Sequence, residues 1–241
     1  REPMLRSMWR RIEALTEGEP LKGRARWSPA TRYRDRVILR LGRTLWRCGH
    51  RLGEIVQGDE FDMNFLTRSC ATYRSKQGLY VVDPSPEQLR ILSTRGTTVL
   101  LAPSGSKTDQ FGEKNCPFNS VLPHNGVASC AAQAIIDMEL ECPVRGDARE
   151  LAPLFCDETG EPYTYAVLHR ELRMLLTALF GAKVAAILSW HSIRIGLACA
   201  LKMAGCPDDV IQLICRWACP ESLKINRSND DILECHVCHS G

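Results

Sequence analysis

Residues 190–217 read WHSIRIGLACALKMAGCPDDVIQLICRW. Trp190, Ile193, Leu197 and Leu201 recur at three- and four-residue steps, and Gly205-Cys206-Pro207 interrupts them before Val210, Ile211 and Ile214 resume the pattern. Glycine supplies the freedom that ends one helix and proline suits the start of the next. The spacing therefore predicts helices over 190–204 and 207–217 joined by a tight turn. Within the first of them His191 and Arg194 stand three apart, side by side on one face, where both can donate to one phosphate. A helix-start His beside a solvated Arg explains that pair equally well when it stands alone.

Outward from this block, the segments 126–141 and 163–180 carry the same helical spacing. Before them Gly78–Val82, Thr97–Leu101 and Asn119–Leu122 are short β-branched or aliphatic runs, and Pro84-Ser85-Pro86-Glu87-Gln88 carries the start signals of a small helix. The polar stretch Ser104–Lys114 ahead of the last run predicts a hairpin at the edge of a small sheet. From Pro29, Tyr33, Val37, Leu41 and Leu45 recur every four residues with Arg between them, as in an amphipathic helix with an exposed cationic face that ends near Gly49. Met4, Met8, Ile12 and Leu15 suggest a short helix ahead of a Gly- and Pro-containing linker over 17–29. The fold class is thus mainly α with a small antiparallel β-sheet. The expected division is an N-terminal stub or linker over 1–28, one domain over 29–228 and a tail over 229–241.

Composition narrows the function. A chain of 241 residues that is 44% hydrophobic fills a core, which argues against a disordered tail or a coiled coil. Its net charge is only +3, yet residues 1–51 hold fourteen Arg or Lys against five acids, leaving −6 for residues 52–241. No run of about 18 apolar residues occurs, so no membrane span is expected, and the Arg-studded start lacks the apolar core of a signal peptide. The expected setting is intracellular, where the 12 cysteines are free thiols. Cys235-His236-Val237-Cys238-His239 has the spelling of a haem-attachment motif and, with Cys215 and Cys219, of a zinc site. Haem attachment requires export and the zinc set would have to converge from a core helix and a tail, so neither a cofactor nor a metal is expected.

Other residues give the His191–Arg194 pair company. Arg51-Leu52-Gly53-Glu54 follows the basic helix, Lys107 lies in the stretch Ser106–Gly112, and Arg216-Trp217 closes the final helix. These blocks, in this order, resemble the catalytic domain of tyrosine recombinases, the phage integrase family, over about Thr31–Arg227. The run CRWACPESLKI is most similar to recombinases of crypton-type eukaryotic mobile elements.

The resemblance implies roles residue by residue. Arg51 corresponds to the family's first catalytic arginine, Lys107 to its hairpin lysine, His191 and Arg194 to its His-x-x-Arg pair, and Trp217 to its His-or-Trp position. Attack on a phosphodiester builds charge on the non-bridging oxygens, which two planar guanidinium forks hold in a fixed geometry. A lysine can protonate the leaving 5′ oxygen, His191 suits proton transfer, and the indole N–H of Trp217 can donate. Nine residues beyond Trp217, where the family carries its nucleophilic tyrosine, stands Asn226. Its amide cannot form the link that a phenolic oxygen makes and reverses. Tyr33, Tyr73, Tyr80, Tyr163 and Tyr165 all precede the His-x-x-Arg pair.

The resemblance implies DNA recombination and integration with double-stranded DNA as partner, in the nucleus for a eukaryotic host, and a homo-oligomer on DNA. The missing tyrosine implies impaired catalysis, as in a pseudoenzyme. Residues 1–28 are too short for the separate N-terminal domain of the family, which is therefore expected to be missing. Backbone contacts are expected from some of Arg32, Arg36, Arg40, Arg43 and Arg47, which position DNA without reading its sequence. A non-catalytic interaction module on the same scaffold stands as the alternative.

Overall fold

The computed structural model describes residues 3–13, 29–56, 65–102, 120–127, 130–215 and 217. Eight α-helices are found among these residues: α1 (Arg6–Glu13), α2 (Pro29–Cys48), α3 (Pro86–Leu92), α4 (Ala131–Glu141), α5 (Tyr165–Phe180), α6 (Ala182–Ile187), α7 (Trp190–Met203) and α8 (Asp208–Ile214). Four strands, β1 (Ala71–Arg74), β2 (Tyr80–Val81), β3 (Thr98–Leu101) and β4 (Ser120–Pro123), form one antiparallel sheet in the order β2-β1-β3-β4. The protein is mainly helical with a small antiparallel sheet, as expected from the sequence. The central strand β1 was not foreseen, nor was α6.

Alternation sets the sheet's two faces. Ala71, Tyr73, Val99, Leu101 and Leu122 are buried, while Arg74, Val121 and Pro123 are exposed. Register aligns Ala71 with Leu101 and Leu101 with Ser120, so the chain leaves and re-enters the sheet at one end across residues 103–119. The small helix α3 starts as its sequence spells: Ser85 Oγ accepts from Gln88 N–H at 3.2 Å, and Gln88 Oε1 accepts from Ser85 N–H at 2.8 Å.

The basic helix has the expected bounds but not the expected surroundings. Tyr33, Asp35 and every residue from Val37 to Trp46 are buried, so α2 runs through the core and is apolar on more than one face. Arg40 is 3% exposed and grips Glu141 of α4 with both guanidinium arms, at 2.9 and 3.1 Å. Arg43 is also buried, and Arg36 holds Glu141 at 3.1 Å. The cationic face expected for DNA therefore falls short at Arg36 and Arg40, which acids on a helix distant in sequence pair, and at Arg43, which is buried. Arg47 is exposed, and the side chain of Arg32 lies outside the described residues.

The first helix also departs from its reading as a separate stub. Met4, Trp9 and Ile12 are buried in the common core, and Trp9 stacks on Trp46 with ring centroids 5.1 Å apart. Met4 N–H donates to Ser192 O at 2.9 Å as the chain crosses α7. At the crossing, a Cβ on Gly196 would sit 2.1 Å from Met4 O, so only glycine lets the two backbones approach. The expected linker falls largely on residues 14–28, outside the described ones.

Candidate nucleic-acid site

Three pieces of chain bring the candidate residues toward one another. The first is the turn after α2. Gly49 ends the helix with φ of +64°, and its N–H closes on Leu45 O at 3.0 Å. Arg51 then opens a single 3-10 turn, Leu52–Glu54, whose Glu54 carboxylate is buried. That carboxylate accepts from Arg51 N–H at 3.0 Å and from Arg51 Nη1 at 3.0 Å, which aims the guanidinium. The Arg51 side chain remains 37% exposed.

The second piece is the end of the sheet. His50 is buried, with Nδ1 3.3 Å from Glu54 Oε2 and Nε2 3.0 Å from Ser120 Oγ. The imidazole thus ties the Arg51 turn to the first residue of β4, where the chain returns from the segment that holds Lys107. Lys107 itself lies outside the described residues.

The third piece is the α7–α8 pair. Ser189 precedes α7, and its N–H donates to Ser192 Oγ at 3.1 Å. Trp190 is a core residue whose Nε1–H donates to Leu168 O at 3.1 Å. His191 is half-buried in the first turn of α7, and Arg194, one turn on, is buried. The Arg194 guanidinium lies over the Trp217 ring, 5.7 Å from its centroid, in cation–π contact. Gly205 adopts φ of +78° in the expected turn, and α8 then returns along α7.

Cys215 joins these pieces. A Cβ on Gly49 would meet Ile214 O at 2.8 Å and Cys215 Cα at 3.2 Å, so the Arg51 turn sits against the end of α8. Burial pushes the Cys215 thiol up to about 11, a rise that the nearby Arg194 cation partly offsets and Cys199 adds to. The turn that carries Arg51 thus packs through Gly49 against the end of α8, where Arg194 and Trp217 also lie beside Cys215. Asn226 and Arg216 lie outside the described residues.

Sequence reading assigns no role to His50 or Ser120, weighs Cys215 only in the zinc set it sets aside, and quotes Glu54 without its part in orienting Arg51. The i,i+3 placement of Glu54 was the available signal; nothing local marks Ser120 or Cys215. Among the other tyrosines, Tyr33, Tyr73 and Tyr163 are buried, and burial holds their phenols well above the usual range. Tyr80 and Tyr165 are exposed.

Among the described residues no group of three or more His, Cys, Asp or Glu is placed to hold a metal ion, and no helix is long and apolar enough to cross a membrane. The Cys235–His239 motif and Cys219 lie outside them. No protein-family model matches the sequence, and comparison with curated proteins gives no significant match.

Proposed function

We propose that this chain is a DNA-binding protein on a tyrosine-recombinase-like scaffold, descended from enzymes of site-specific recombination and integration and impaired in strand cleavage because Asn226 stands at the tyrosine position. It works with duplex DNA inside the cell, in the nucleus of a eukaryotic host, and assembles on DNA as a homo-oligomer. The observation that carries the reading is the meeting, at Cys215, of the Arg51 turn with the stacked Arg194–Trp217 pair across more than 140 residues of sequence. Forked cations on segments distant in sequence suit a phosphate, whose oxygens accept planar paired donors. His191 adds a donor on the Arg194 side, and Lys107 belongs to the segment that re-enters beside His50.

Arg194 is 1% exposed and lies against the Trp217 ring, so a phosphate meets it only when the packing around it opens. That same burial, with the enclosure of Arg40 and Arg43, favours the second reading, an interaction module that does not use DNA. A mobility-shift titration separates the two. Duplex binding that falls steeply as salt rises from about 50 to 200 mM supports the proposal, because phosphate contacts release counterions. Absence of a shift at low salt sinks it. A nicked suicide substrate then tests turnover: the expected result is no denaturant-resistant adduct from the chain as it stands. Asn226→Tyr is the variant that would restore one if residue 226 reaches the phosphate in line.

A further inference from the structure

Away from the Arg51 and Arg194 region, two thiols converge on one phenol. Cys142 caps the C-terminal end of α4 and is half-buried, whereas Cys156 is buried beside the bridge that pairs it with Pro162. Tyr33 Oη lies 3.2 Å from Cys142 Sγ and 3.7 Å from Cys156 Sγ, which keeps the sulfurs within about 7 Å of each other. A rotamer change at a cysteine moves its sulfur by about 3 Å, the scale of the movement that closing this gap requires. Arg68 Nη2 donates to Cys156 Sγ at 3.5 Å, and the Arg36 guanidinium lies 5.6 Å from the centroid of the Tyr33 ring. Arg68 and Tyr33 thus both contact the Cys156 sulfur, and Tyr33 also contacts that of Cys142.

We propose that Cys142 and Cys156 form an oxidisable dithiol, a modification site whose substrate is hydrogen peroxide or a small hydroperoxide and whose product is an intramolecular disulfide. Cys142, the more accessible, reacts first. Its thiolate attacks a peroxide oxygen, the O–O bond breaks, and water leaves behind a sulfenic acid. The Cys156 sulfur then attacks the Cys142 sulfur, the S–O bond breaks, and the departing hydroxide takes a proton to become a second water. Two thiols and one hydrogen peroxide thus give one disulfide and two waters, a two-electron oxidation; a hydroperoxide gives its alcohol in place of the first water. The new bond ties the end of α4 to the segment around 156 and removes both sulfur partners of the Tyr33 hydroxyl at the start of α2.

Burial works against the second step, since it pushes the Cys156 thiol up although Arg68 pulls it down. The reaction is accordingly expected on a timescale of minutes at millimolar peroxide and with high selectivity among the 12 cysteines.

The test treats the folded full chain with peroxide, alkylates the remaining thiols in denaturant, and maps the peptides without reduction. The expected product is a pair of peptides joined through Cys142 and Cys156, two hydrogens lighter than the thiols and released by dithiothreitol. In Cys156→Ser the sulfenic acid on Cys142 persists and is trapped by dimedone. Peroxide added in denaturant serves as the control and gives scrambled pairing in place of this one bond. Both cysteines recovered as free thiols while others oxidise would overturn the proposal, as would bonds from Cys142 to any other cysteine in the folded chain. If Cys156→Ser does not fold, Cys142→Ser gives the second readout: Cys156 must then stay reduced.

Discussion

Arginines meet carboxylates in two parts of this molecule, with opposite results. In one, Arg68 and Arg149 converge on Glu139 from different segments: Arg68 Nη1 at 2.9 Å, Arg149 Nη2 at 2.7 Å, and the Tyr73 hydroxyl donating at 3.1 Å. Arg149 also reaches the backbone carbonyls of Arg68 and Val144. All three charged side chains are at most 4% exposed, so the cluster is sealed and knits α4, β1 and the loops around them. In the other, Arg51 leans on Glu54 from three residues away and stays 37% exposed, while Arg194 lies against an aromatic ring. A guanidinium enclosed by carboxylate and carbonyls builds the fold. One held by a single carboxylate and left part exposed, as Arg51 is, keeps part of its fork for solvent or a ligand.

The sharpest way to break this contrast is to neutralise each carboxylate. Glu139→Gln leaves two buried guanidinium groups without their counter-charge, and a loss of about 3–5 kcal/mol in urea-unfolding stability is expected. Glu54→Gln is expected to cost less, about 1–3 kcal/mol, because the Arg51 head can turn to water. It should also weaken DNA binding, which Glu139→Gln at a temperature where it remains folded should not. Equal stability losses, with no effect of Glu54→Gln on DNA, would place the Arg51 turn among the structural clusters.

The contrast was only half legible in the sequence. Helices α7 and α8 were readable because Gly205 and Pro207 punctuate a strong periodicity, and Pro29 and Gly49 bounded α2 for the same reason. The burial of α2 was not, since Tyr33, Val37, Leu41 and Leu45 make one convincing stripe. Trp46 reads as a core residue from its type, but Ile38 and Leu39, which also lie off the stripe, were the overlooked signal of a helix enclosed on further sides. The acids that neutralise Arg36 and Arg40 sit about a hundred positions away, and no local pattern links them. Strand β1 escaped because Ala71–Arg74 is four residues long and gains its strand identity from pairing with both β2 and β3. Of the site, residue types and order were visible, but the meeting at Cys215 depends on a packing contact with Gly49 that only tertiary structure creates.

The thiols around the second region offer a pH test. Burial pushes Cys215 up to about 11 and Cys48 up to about 12, against an ordinary value of 9.0. The unfolded chain therefore releases these protons first as pH rises past 9, and the stability carried by the neutral buried thiols, intact below pH 9, drains away toward pH 11–12. Urea midpoints should be level from pH 7 to 8.5 and fall by pH 10.5, each thiol accounting for on the order of 2 kcal/mol. Cys215→Ala and Cys48→Ala should each make the fall shallower. A fall unchanged in both variants would mean that the packing of Gly49 against Cys215 does not seal this region.

Removing the stacked cation probes ligand binding directly. Arg194→Ala is expected to weaken duplex affinity by about 1–3 kcal/mol, the loss of a charge-assisted contact. Trp217→Ala removes the ring beside Arg194 and is expected to preserve or raise affinity. Unchanged binding in Arg194→Ala would make this arginine a structural one like Arg68.

The smallest expected effect separates two arginines on one helix. Arg40 and Arg47 are seven residues apart on α2, two helical turns, and so share a face by sequence. Arg40 is enclosed with Glu141 and Asp137, whereas Arg47 is exposed one turn before Arg51. Counterion release counts only cations that touch phosphate, at about 0.9 in the slope of log affinity against log salt for each contact. Arg47→Ala should therefore lower that slope by about one and weaken binding uniformly across sequences. Arg40→Ala should leave the slope unchanged and show its cost in unfolding instead, as its Glu141 partner is left without its bidentate cation. A slope altered by Arg40→Ala and not by Arg47→Ala would reverse the assignment and put the DNA on the α4 side of α2, away from Arg51.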